Sequence, residues 1–106
     1  MNTKYSLVIT TADSVKQAQF IANALLSQRL AACIQTNQIK SYYTWDNEVQ
    51  ESDEHILLIK CREEDFNKIE ECIKEHHSYE IPEIIMIPIM KGSLDYIDWM
   101  HKVTKK

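Results

Sequence analysis

Glu75-His76-His77-Ser78-Tyr79-Glu80-Ile81-Pro82-Glu83-Ile84 joins two kinds of periodicity. Upstream, Phe66, Ile69 and Ile73 recur at the spacing of one helix face. Downstream, Ile84 to Ile89 is a nearly unbroken apolar run. Between them Pro82 crowds Ile81 out of the helical region and toward an extended backbone. The stretch is therefore a helix-to-strand junction, and it carries two histidines, a tyrosine and two carboxylates in its loop.

Working outward, the helix before the junction spans Arg62 to His76. Glu63, Glu64 and Asp65 stand in its first turn, and Lys74, His76 and His77 in or after its last, which suits the helix dipole at both ends. The strand after it spans Glu83 to Met90, with Pro88 marking an edge, a bulge or a strand end because it cannot donate to a ladder. Gly92-Ser93 opens a third helix with Ser93 as N-cap and Leu94, Ile97 and Met100 or Trp99 turned inward. Toward the N-terminus, Tyr5 to Thr11 contains the continuous run Leu7-Val8-Ile9, the pattern of a central strand buried on both faces. Ser14 and Gln17 form a capping box, followed by Val15, Ala18, Ile21, Ala22 and Leu25 on a first helix that ends near Gln28. Ala31 to Tyr43 is extended but interrupted by Gln35, Asn37, Gln38 and Lys40, which predicts a long strand with a bulge or bend. Trp45-Asp46-Asn47-Glu48 supplies a hairpin turn, since Asp and Asn tolerate positive φ, and Val49 to Cys61 returns. The order β-α-β-β-α-β plus a C-terminal helix is the ferredoxin-like α+β pattern, with helices on one face of an antiparallel sheet.

A chain of 106 residues is a single domain, residues 1–106. Its formal charge of −4 gives no electrostatic case for nucleic acid. With one glycine, Gly92, it has no phosphate-cradling loop or dinucleotide fingerprint. Cys33, Cys61 and Cys72 are odd in number and unpaired in spacing, and no apolar stretch is long enough for a signal peptide or a membrane span. These features predict a reduced, cytoplasmic protein with free thiols and no membrane association.

His76 and His77 are candidate metal ligands, because neutral imidazole suits copper, zinc and nickel. Neighbours on a helix project about 100° apart, so the alternative is two solvated histidines at a helix end. Cys33 carries a soft sulfur suited to copper(I), or is simply a small buried side chain. Lys60, Tyr79, Glu80 and Glu83 could line a polar cleft, or form surface ion pairs of little energetic consequence. Trp45 and Trp99, with Tyr42, Tyr43 and Tyr96, offer either an aromatic platform or a subunit contact. No serine, cysteine or histidine sits in a nucleophile–base arrangement, so the chain does not read as an enzyme.

The junction also resembles the His-Pro-Tyr-Glu-x-Pro-Glu-(Ile/Leu) motif of the CutA divalent-cation tolerance family, with Ser78 where that family usually has proline. Arg29-Leu30-Ala31-Ala32-Cys33, Ser41-Tyr42-Tyr43-Thr44-Trp45, Leu58-Ile59-Lys60 and Tyr96-Ile97-Asp98-Trp99 are similar to further family segments, in the same order. The resemblance implies a homotrimer of ferredoxin-like subunits in divalent-ion homeostasis. It implies copper near His77 with His76 as second ligand, no obligatory cofactor, and a cleft between subunits gathering Cys33, Lys60, Tyr79, Glu80 and Glu83. A first-strand cysteine that completes the copper site in some members is matched here by Thr10. The architecture also resembles PII signalling trimers, which implies as an alternative a small ligand at the subunit clefts and an unidentified protein partner.

Overall fold

The computed structural model describes residues 3–106. Asp46 and Asn47 take φ of 52° and 63°, the two consecutive left-handed positions of a two-residue hairpin turn. That turn sets the register of strands β2 (Cys33–Trp45) and β3 (Glu48–Arg62). Their pairing then runs without interruption from Trp45↔Glu48 to Cys33↔Lys60. The expected bulge or bend is absent. The polar residues that suggested it lie on an exposed edge strand, where alternation needs no apolar partner.

Strand β1 (Tyr5–Ala12) pairs antiparallel with β3 and with β4 (Ile84–Pro88), giving the order β2-β3-β1-β4. With helices α1 (Val15–Ser27) and α2 (Phe66–His76), this is the ferredoxin-like α+β arrangement. A single 3-10 turn, Glu63–Asp65, leads into α2. Pro88 closes the edge strand β4, where no ladder donor is required.

Ser14 caps α1 by accepting the Gln17 N–H at 3.1 Å, and Gln17 Oε1 accepts the Asp13 N–H at 2.8 Å. The reciprocal bond of the expected capping box thus reaches one residue further upstream. At the other end, Leu30 N–H bonds Leu25 O and Arg29 N–H bonds Leu26 O, a Schellman closure. Arg29 takes the left-handed position at φ 58° that glycine usually fills.

Val8, Ala12, Leu57, Ile59 and Cys61 face α1 and α2, meeting Ala18, Ile21, Leu25, Ile69, Cys72 and Ile73. Alternation sends Leu7, Ile9, Ile56, Leu58 and Lys60 to the opposite face. There Leu7 and Ile9 are only half-buried, so β1 is not covered on both faces as its apolar run suggested. Helix α3 (Leu94–Thr104) covers one end of that second face. Its buried Met100 packs with Tyr5 and Ala32, while Leu94 stays 75% exposed, contrary to the expected inward set. Arg62 Nε donates to Thr104 Oγ1 at 2.8 Å and its Nη2 to His101 O at 3.0 Å, fastening α3 to β3. Ser93 stands at the N-cap of α3 without a side-chain bond.

Beyond the Ala12↔His55↔Gln38 row, the β2–β3 hairpin has no further strand beside it. It projects from the body and gives the molecule a long axis of 47 Å against 25 and 22 Å.

Candidate functional site

The junction loop does not hang free. Tyr79 N–H donates to His77 Nδ1 at 3.1 Å, and His77 Nε2 lies 2.5 Å from Thr11 O, a carbonyl that can only accept. These two partners assign the Nε2–H tautomer of neutral imidazole and occupy both ring nitrogens. The rings of His77 and Tyr79 also pack, centroid to centroid, at 4.6 Å. His77 is therefore a bracket that ties the end of α2 to the end of β1, not a solvated side chain.

His76 is held differently. Its Nδ1 lies 2.8 Å from Cys72 O, the carbonyl one turn back, so Nδ1–H donates and Nε2 keeps its lone pair. The two histidines thus offer one free donor between them. Among the described residues no group of three histidine, cysteine or acidic side chains is placed to hold a metal ion. Thr10 is fully buried and its hydroxyl has no hydrogen-bond partner.

Downstream of His77 the loop forms one wall of a groove of about 600 Å³. Tyr79, Glu80 and Glu83 line it from the loop, and Tyr43, Trp45 and Glu54 line it from the projecting hairpin. Tyr79 Oη donates to Glu54 Oε2 at 2.8 Å, joining the loop to the hairpin. Burial, then the hydrogen bond to Glu54 and that residue's negative charge, push the Tyr79 hydroxyl well above the ordinary phenol range. It is therefore a hydrogen-bond donor at neutral pH. Glu54 is only 7% exposed. Its place in the site carried no sequence signal, because it lies in a polar run of the hairpin and meets Tyr79 from 25 positions away.

Lys60 and Cys33 lie elsewhere. They are paired neighbours on β3 and β2. Lys60 Nζ donates to Tyr96 Oη at 3.1 Å and sits 5.1 Å from that ring's centre. Six residues of extended strand separate Lys60 from Glu54, about 20 Å. Within one protomer the five expected cleft residues therefore fall into two groups, Tyr79–Glu80–Glu83 and Cys33–Lys60. A cleft uniting them needs residues from two chains. The aromatic set divides in the same way: Tyr42, Tyr43 and Trp45 line the groove, whereas Tyr96 and Trp99 stack at 5.4 Å on α3.

Cys61 is buried and its thiol is pushed up to about 12, chiefly by desolvation. Cys72 is buried as well, and its thiol is raised for the same first reason. Neither is poised as a nucleophile. No helix of the described residues is long and apolar enough to cross a membrane.

The model of the CutA1 divalent ion tolerance protein family matches residues 6–103. The divalent-cation tolerance protein CutA of Thermus thermophilus is 39% identical over 99 residues, 92% of this chain and 96% of its own length. Among solved structures, the periplasmic divalent cation tolerance protein CutA from Archaeoglobus fulgidus superposes with a TM-score of 0.93 at 33% identity, covering 95% of this chain and 99% of that one. CutA1 from the psychrotrophic bacterium Shewanella sp. SIB1 gives a TM-score of 0.92 at 34% identity, with both chains fully covered. The alternative of a PII-like signalling trimer draws no support from these relatives.

Proposed function

The chain belongs to the CutA1 divalent ion tolerance family, and on that premise we propose that it serves divalent metal ion tolerance as a homotrimer, through binding and not through turnover. The observation that carries the assembly is the sheet face left uncovered by α1 and α2. Leu7, Ile9 and Leu58 are half-buried there, and Ile85 and Ile87 are 48% and 44% exposed. These side chains sit on three neighbouring strands and form one aliphatic patch, of a kind that soluble monomers seldom leave open. Both sheet edges, β2 and β4, also present unpaired backbone groups. Further copies of the same chain would cover the face and the edges together.

Copper fits the residues of one protomer poorly. To become a ligand, His77 would have to surrender the Tyr79 N–H bond at Nδ1, or both of its bonds if it ligated through Nε2, and the Thr10 hydroxyl is a poor donor for a soft ion. Any copper bound is therefore assigned to His76 Nε2, with remaining donors from solvent or other copies. A titration of the wild type with Cu²⁺ alongside His76→Ala and His77→Ala separates the two. Loss of binding in the first variant supports the assignment, and binding that survives it undiminished refutes it.

The assembly is tested by light scattering at micromolar concentration. The wild type is expected at trimer mass and the double variant Ile85→Glu/Ile87→Glu at monomer mass. A monomeric wild type would refute the proposal.

A further inference from the structure

Helix α2 carries a donor pair that the sheet-face assembly and the Cu²⁺ assignment leave unused. Cys72 and His76 are four residues apart, so both side chains fall on one face of the helix. Cys72 Sγ and His76 Nδ1 lie 4.0 Å apart. Gln28, at the C-terminal end of α1, donates its amide to the same sulfur at 3.5 Å. The pair therefore sits where α1 meets α2, on the helical layer and away from the open sheet face and both sheet edges. Neither residue lines the groove of the junction loop.

The separation decides what the pair can hold. With about 2.0 Å to a nitrogen and about 2.3 Å to a sulfur, one ion spanning 4.0 Å subtends roughly 140°, wider than the tetrahedral angle of about 110°. Among the described residues no group of three histidine, cysteine or acidic side chains forms around it. Zinc takes four ligands and Cu²⁺ a tetragonal set of nitrogen and oxygen, so two wide-angle donors suit neither. A soft monovalent ion with a filled d shell accepts two donors at a wide angle, and thiolate is the ligand that selects it.

We propose that Cys72 Sγ and His76 Nδ1 together bind copper(I), in a two-coordinate site contained within one α2 helix. The ion displaces the thiol proton, which leaves to solvent. The imidazole stays neutral: its proton moves from Nδ1 to Nε2, and the 2.8 Å bond to Cys72 O is given up. The oxidation state of the ion does not change, and one proton is released for each ion bound. The Gln28 amide remains on the sulfur and stabilises the thiolate, which offsets part of the burial that raises the thiol. The inference shares His76 with the Cu²⁺ assignment but uses the other ring nitrogen. The two fail separately, because Cys72 takes no part in binding Cu²⁺ at Nε2. Neither residue comes from a second copy, so the site does not depend on the trimer.

Copper(I) is delivered without oxygen as its coloured bicinchoninate complex, and transfer to the protein is read from the loss of that colour. The wild type is expected to take up one ion per protomer. Cys72→Ser is expected to weaken uptake at least about 100-fold, and Gln28→Ala by about tenfold, the effect of losing an outer partner of a ligand. Cys33→Ser, which removes the less buried sulfur, should leave uptake unchanged. X-ray absorption of the wild-type complex needs no variant and is expected to show one sulfur and one imidazole nitrogen on the ion. It decides the matter should Cys72→Ser fail to fold. No transfer to the wild type, uptake unmoved in a folded Cys72→Ser, uptake abolished by Cys33→Ser, or an ion held by sulfur alone overturns the proposal.

Discussion

Replacing His77 by alanine is expected to destabilise the fold far more than replacing His76, although the two are adjacent and chemically identical. His77 loses two hydrogen bonds, from Tyr79 N–H and to Thr11 O, and one ring contact with Tyr79. At about 1 kcal/mol per hydrogen bond and about 1 kcal/mol for the aromatic contact, the loss is about 3 kcal/mol. His76 loses one bond to a carbonyl in its own helix at a half-exposed site, about 1 kcal/mol or less. For a domain of this size 1 kcal/mol moves Tm by roughly 4–8 °C. His77→Ala should therefore lower Tm by roughly 12–24 °C, and His76→Ala by less than about 8 °C. The measurement is thermal or urea unfolding at one fixed protein concentration, because an assembling chain has a concentration-dependent Tm. Equal shifts for the two variants would refute the bracket reading and return His77 to the role of a solvated side chain.

Three further outcomes are expected. Ser14→Ala should cost about 1 kcal/mol in urea unfolding, since it removes the acceptor of the Gln17 N–H. Asn47→Val should cost about 1–2 kcal/mol, because Asn47 sits at φ 63° and a β-branched residue is strained there, whereas Asn47→Gly should be tolerated. Finally, Cys61 has a folded pKa of about 12 against an ordinary value of 9.0. Its contribution is fully present below pH 9 and is lost as the pH rises toward 12, because the unfolded chain releases the thiol proton first. Stability should fall by up to about 1.4 kcal/mol per pH unit across that window, and Cys61→Ala should flatten the slope of unfolding free energy against pH.

How much of this was readable in the sequence depended on how local the cause was. The Asp46-Asn47 turn and the Ser14 cap are decided within four residues, and both form as the sequence predicts. The bulge expected in β2 failed because polar residues in a projecting edge strand look like interruptions of a core strand. Nothing in Gln35 to Lys40 distinguishes the two. The Leu7-Val8-Ile9 run was read as buried on both faces, yet in the protomer only Val8 is fully covered. Here pattern and protomer disagree in a physically useful way. Leu7 and Ile9 of β1 are apolar to suit a layer that a single chain does not supply, which is the same argument that favours assembly.

The site was less readable because its contacts are long-range. The bracket joins His77 to Thr11 across 66 positions, and the groove joins Tyr79 to Glu54 across 25. A sequence shows imidazole and carboxylate but not which lone pairs remain free after folding. That distinction changes the chemistry assigned to the junction. Two adjacent histidines look like a ligand pair until both nitrogens of His77 are seen to be occupied, whereas Glu54 looks like one of many surface acids until folding buries it against the Tyr79 hydroxyl. Folding thus consumes the donor that the sequence advertises and creates an acceptor that it conceals.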